Sequence, residues 1–184
     1  MKNWGVFLIS VLIAGYVFQS SFADEGERSY KDWSVRFEEG RVFYTTHGTE
    51  VYGHEFGFFK APGYCGGGDT IWITYSSDND EVLNYIGKGV VFRLTVDGKS
   101  FRINLNMLDA GKLTPVTKIM SFTNSYAGDD LIAILNKGRE LTLEIIGPKD
   151  FVKSLDIKKD EFSLNGFIAA RLKAKVMCDM VTLK

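Results

Sequence analysis

The residues with chemical reach in this chain are few. His47 and His54 are the only histidines, and Glu50 and Glu55 stand beside them. Imidazole with carboxylate can ligate zinc or work as general acid and base. A gap of seven residues in an irregular segment matches no ligand spacing, and solvated loop residues are the simpler reading. Gly63-Tyr64-Cys65-Gly66-Gly67-Gly68-Asp69 is glycine-rich enough to approach a phosphate. It lacks the Lys-Ser/Thr ending of a P-loop and the strand-to-helix setting of a dinucleotide fingerprint. Asp78-Asn79-Asp80-Glu81 carries part of a calcium loop without its glycine and distal glutamate. A turn followed by helix capping explains that run. Neither Gly-x-Ser-x-Gly nor His-Glu-x-x-His is present. The expectation is no catalytic set, no metal and no cofactor, hence a protein that is not an enzyme.

Cys65 and Cys178 are the only cysteines. Their chemistry depends on the compartment, which the first 23 residues specify. Lys2 precedes an uncharged apolar run over residues 6–18, and Ser21-Phe22-Ala23 puts small residues at −3 and −1. That is the layout of a cleavable secretory signal, and the run is short of the roughly 20 residues a membrane span needs. In an oxidising compartment an even pair of cysteines is bridged more often than free, so Cys65–Cys178 is expected to be a disulfide. The competing reading, a reactive thiol pair, lacks a Cys-x-x-Cys spacing. Gly63–Asp69 then becomes a turn that lets Cys65 reach Cys178.

Removing Lys2 with the leader takes the formal net charge from −1 to −2, with both signs interspersed. This excludes the basic footprint of a nucleic-acid binder, and no polybasic run points to anionic lipid. The expected organisation is a signal peptide at 1–23, a flexible leader at 24–31 and one globular domain at 32–184.

Eleven of the twenty aromatic residues after Ala23 lie between Trp33 and Tyr75. Aromatics at this density can build a β-sandwich core, or supply anchors for a partner. Tyr52, Phe56, Phe58, Phe59 and Tyr64 fall in a glycine-punctuated stretch that reads as a loop, which makes them the candidate interaction surface.

The elements that must position these residues are mostly strands. Trp33, Val35 and Phe37 alternate with Ser34, Arg36 and Glu38, the period of a half-buried strand. Residues 42–46, 70–75 and 140–146 are rich in β-favouring types. Asp97-Gly98 between apolar runs at 90–96 and 100–105 predicts a type I′ hairpin. Residues 129–137 read as a helix with acidic start and Lys137-Gly138 end. A second helix is expected over 166–178, with Asn165 as its N-cap, and residues 80–86 add a short turn. The fold class is mainly β: an antiparallel β-sandwich-like single domain with one or two packed α-helices, including a C-terminal helix.

Asp32-Trp33-Ser34-Val35-Arg36-Phe37-Glu38 resembles the opening strand of the invasion-associated locus B family of exported bacterial proteins. Phe162-Ser163-Leu164-Asn165-Gly166-Phe167-Ile168-Ala169-Ala170 is similar to that family's closing strand-to-helix signature. The helix at 131–135, Lys137-Gly138 and the strand after them lie where the family also has them. A cysteine commonly follows the family's Trp-x-x-x pattern, and here Phe37 takes that position, so Cys65–Cys178 would be a different staple. The resemblance implies a periplasmic or secreted β-sandwich-like domain linked to host-cell colonisation in some bacteria, and it carries no catalytic residues.

Together these observations predict an exported, periplasmic or secreted, non-enzymatic binding protein. It has a protein partner, no nucleic acid and no transmembrane anchor in its mature form. The alternative is a small periplasmic inhibitor or immunity protein that blocks an enzyme with residues 53–68.

Overall fold

The computed structural model describes residues 27–124 and 126–183. The signal peptide expected at 1–23, with its cleavage site, lies outside the described residues. Among the described residues ten strands form one antiparallel sheet: β1 (Arg28–Tyr30), β2 (Trp33–Glu38), β3 (Arg41–His47), β4 (Glu55–Lys60), β5 (Thr70–Ser77), β6 (Gly89–Val96), β7 (Lys99–Lys112), β8 (Lys118–Thr123), β9 (Glu140–Gly147) and β10 (Lys159–Ser163). Their order in the sheet is β1-β2-β3-β4-β5-β8-β7-β6-β9-β10. Three helices accompany them, α1 (Asp129–Leu135), α2 (Lys149–Lys153) and α3 (Phe167–Thr182). A 3-10 turn covers Asp80–Tyr85, capped by the Asn79 side chain on the Glu81 N–H.

The mainly β class with a C-terminal helix is what the sequence predicts. In the β6–β7 hairpin Asp97 and Gly98 have φ of 45° and 81°, the two positive values a type I′ turn requires. The long β7 pairs with β6 through its first half and with β8 through its second, changing register between Met107 and Asp109. A bulge at such a point bends a strand, and the sheet curls until its two ends meet. Gly48 at the end of β3 bridges Phe162 of β10, and the Trp33 indole donates to the Ser163 carbonyl at 2.9 Å. Trp33, Phe56 and Phe162 pack within the same core as Phe92 and Phe122.

Three expectations are corrected. Residues 28–30, placed in a flexible leader, form β1 because their backbone pairs with Trp33, Ser34 and Val35. Residues 55–60, placed in a loop, form β4 between β3 and β5. Asn165 is not the N-cap of α3: Gly166 is, at φ 106° and with its Cα against the Tyr30 carbonyl. A side chain at 166 would be strained by the backbone angle and blocked by that carbonyl. Asn165 instead accepts a hydrogen bond from Lys31 Nζ at 2.9 Å. Among the described residues no helix is long and apolar enough to cross a membrane.

Candidate functional site

The β4 alternation divides the aromatic cluster between two faces of the sheet. Phe56 and Phe58 point inward and are fully buried, against Trp33, Tyr44, Phe162 and Phe167. They are core residues, which removes them from the interaction surface the sequence suggests. The loop reading failed because Gly53, Gly57 and Gly63 punctuate the segment while the ladder is set by distant partners. Phe59 points the other way, half-buried beside Phe43 and Trp72 with the Arg41 guanidinium over its ring. Tyr52 is exposed in the turn between β3 and β4.

Lys60 continues the inward phase of Phe56 and Phe58, and its ammonium is almost wholly buried. It pairs with Asp69 Oδ1 at 2.5 Å, while Arg171 of α3 donates through Nε to Asp69 Oδ2 at 2.8 Å. Burial by itself raises the Asp69 carboxyl. The Lys60 ammonium and the bond from Arg171 outweigh it and hold the group below the usual carboxylate range. The buried Tyr44 hydroxyl faces that anion, and burial first and Asp69 second push it well above its ordinary value.

Residues 61–69 form the loop between β4 and β5. Within it Tyr64 donates to the Ala61 carbonyl and Gly67 to the Tyr64 carbonyl, each at 3.0 Å. Cys65 is bridged to Cys178 of α3, with Cα atoms 5.5 Å apart, as the sequence predicts. The Gly63 N–H donates to Thr182 Oγ1 at 3.0 Å. Tied to α3 by the disulfide, by Asp69–Arg171 and by Thr182, this loop is held at both ends and in its middle.

Tyr64 is 76% exposed on it. Tyr126 is likewise 73% exposed, and is fixed by a backbone bridge to Thr70 and by the bond from the Ala127 N–H to the Asp69 carbonyl at 2.8 Å. Between them runs a groove of about 250 Å³, lined also by Phe59, Thr70, Thr123 and Asn124. It carries aromatic, hydroxyl and amide groups and no charged side chain. Tyr126 was missed in the sequence because nothing local brings it to Tyr64; strand pairing across the sheet does.

The two histidines part company. His47 is exposed, 3.7 Å through Nδ1 from Glu55 Oε1. His54, expected in solvent, is fully buried: Nδ1 lies 2.8 Å from Asp160 Oδ2, and its ring stacks on Tyr75 at 3.8 Å. Asp160 also accepts the N–H groups of Thr49, Glu50 and Glu161 at 3.1, 3.0 and 2.7 Å. The pair therefore fastens the β3–β4 turn to β10. A signal was available, since Asp160 shares the inward phase of Phe162. Among the described residues no group of three or more His, Cys, Asp or Glu could hold a metal ion.

Burial lowers the His54 pKa more than Asp160 raises it, so the folded value lies below the unfolded 6.5. The stability this neutral imidazole contributes is complete above pH about 6.5 and is lost as pH falls through the lower folded value. Thermal melting from about pH 7.5 to 5 should show a falling Tm, and a His54→Gln variant should show a flatter profile. Parallel profiles for the two proteins would contradict this role.

With that geometry in view, the fold is similar to the crystal structure of invasion associated protein B from Bartonella henselae. The TM-score is 0.51 at 15% identity, over 82% of this chain and 96% of that one. At this identity the likeness is one of fold, and it agrees with the fold the two ends of the chain suggest. No family model matches the sequence, and no curated protein matches it.

Proposed function

We propose that this is an exported, non-enzymatic binding protein that engages a protein partner through the groove between Tyr64 and Tyr126. One observation carries the reading: two exposed tyrosines line one groove from backbone that the Cys65–Cys178 bridge and the Asp69 hub hold in place. A fixed aromatic pair loses little freedom on binding, which is where affinity is gained, and tyrosine is enriched among residues that dominate binding energy. The disulfide supports an oxidising compartment, and the Bartonella neighbour bears the name of an invasion-associated protein. His54, the better candidate for buried acid–base chemistry, is occupied in fastening the β3–β4 turn, which supports the non-enzymatic reading.

The inhibitor alternative draws on the same loop, since a stapled segment with an aromatic tip can fill an active-site cleft. Its extent shrinks from 53–68 to 61–68, because residues 55–60 are β4. Affinity capture from envelope extracts tests the leading reading. Tyr64→Ala and Tyr126→Ala should each weaken binding of the captured partner by about 2 kcal/mol or more, roughly thirtyfold in Kd, with Tm unchanged. A partner retained equally by both variants would sink the assignment to this groove.

A further inference from the structure

Helix α3 is apolar on two sides. Phe167, Ala170, Ala174, Met177 and Cys178 face the sheet and are buried. Ile168, Leu172 and Val176 repeat every four residues on the outward side, where Leu172 is 62% exposed, and Leu183 beyond the last turn is 87% exposed. At the start of α3 this stripe runs into an apolar groove of about 840 Å³ lined by Tyr30, Gly138, Leu164 and Ile168, with Lys31 and Arg139 on its lining as well. An uncovered apolar surface that continues into a groove marks an association site in a soluble domain.

We propose that a second copy of this chain covers this face, with the two α3 helices antiparallel about a twofold axis at Leu172. In that arrangement Leu172 meets the partner's Leu172, and Ile168 meets the partner's Val176. The last turn of the partner helix then passes beyond Asn165 and lies over the groove, where the partner's Leu183 enters the apolar part. The partner's Asp179, four residues before Leu183 and on the same stripe, arrives beside Lys31. Asp179 already pairs through Oδ2 with Lys175 at 2.6 Å, so its carboxylate is fixed on the outer surface. The C-terminal carbonyls of a helix carry partial negative charge, and Arg139 stands where that end falls. The apolar end meets the apolar groove, the partner's Asp179 and helix C-terminus meet Lys31 and Arg139, and the symmetry repeats both contacts, as an isologous interface requires. A parallel pairing would set Lys31 against its own copy. This face is separate from the Tyr64–Tyr126 groove, and the inference does not depend on the proposed function.

Sedimentation of the exported protein should show a dimer at micromolar concentration. Leu172→Lys should shift it to monomer while leaving the far-UV spectrum unchanged, since the side chain is exposed in the single chain, and Tm should lose its dependence on protein concentration. Lys31→Glu should weaken dimerisation at least tenfold, and adding Asp179→Lys to the same chain should restore it. Leu172→Cys should form an interchain disulfide with itself, whereas Val176→Cys should bridge only when mixed with Ile168→Cys. A monomer throughout that range, a dimer indifferent to Leu172→Lys, or a monomer that uses this face on phospholipid vesicles or another protein would each overturn the proposal.

Discussion

Replacing Cys65 and Cys178 together with alanine is expected to lower the unfolding free energy by about 4–5 kcal/mol. The bridge joins residues 113 apart, and for a loop of that length the chain-entropy account puts most of the effect in the unfolded state, which the link denies much of its freedom. A domain of this size has about 5–15 kcal/mol in total, so the loss is a large share. Part of the effect is local. Both cysteines are buried, and the link is one of the three ties that hold residues 61–69 against α3. Denaturant unfolding of the double variant, and of the unaltered protein under reducing conditions, should give similar midpoints well below the oxidised one. A difference under about 1 kcal/mol would mean that the bridge is dispensable.

Asp69→Ala is expected to cost about 3–5 kcal/mol, the range for removing one partner of a buried charged pair. The loss would come from Lys60, left in the interior without its carboxylate, more than from Arg171, whose side chain reaches solvent. Lys60→Met with Asp69→Leu should recover most of the stability, because removing both charges removes the desolvation as well as the attraction. A double-mutant cycle isolates that coupling. The sign with pH follows from the depressed carboxyl. Asp69 contributes stability above its unfolded value near 3.9, and the contribution is lost as pH falls through the lower folded value. Equal losses for Asp69→Ala and the double variant would contradict the hub. With the hub intact and the bridge cut, Tyr64 should lose its fixed position while β4 and β5 keep theirs.

The elements with a local signature were legible in the sequence. Trp33 to Glu38 announces its strand by alternation, Asp97-Gly98 its hairpin by turn chemistry, and residues 129–137 their helix by charged ends. What escaped depends on pairing between distant segments. β1 exists because β2 offers an edge, and β4 because β3 and β5 flank it; glycines at 53, 57 and 63 hide that strand from a local reading. The candidate site divides in the same way. Cys65 and Cys178 were readable from number and compartment, and Tyr64 from its place in a glycine-rich turn. Tyr126 was not, because the Thr70 bridge and the neighbouring Ala127–Asp69 bond bring it across from a distant segment. Lys60, Asp69 and Arg171 come together from two strand ends and a helix, so their charges look like ordinary surface residues until the register is known. His54 and Asp160, 106 residues apart, illustrate the same limit.

The most direct test of the binding account is site-specific photo-crosslinking in cells, with a photoreactive side chain at Tyr64 or Tyr126 and a control at Leu83. Leu83 is exposed on the 3-10 turn and lines no part of the groove. The account predicts one and the same partner protein joined at positions 64 and 126 and absent from position 83. Adducts at all three positions alike, or none at 64 and 126 while the protein is folded and oxidised, would contradict it.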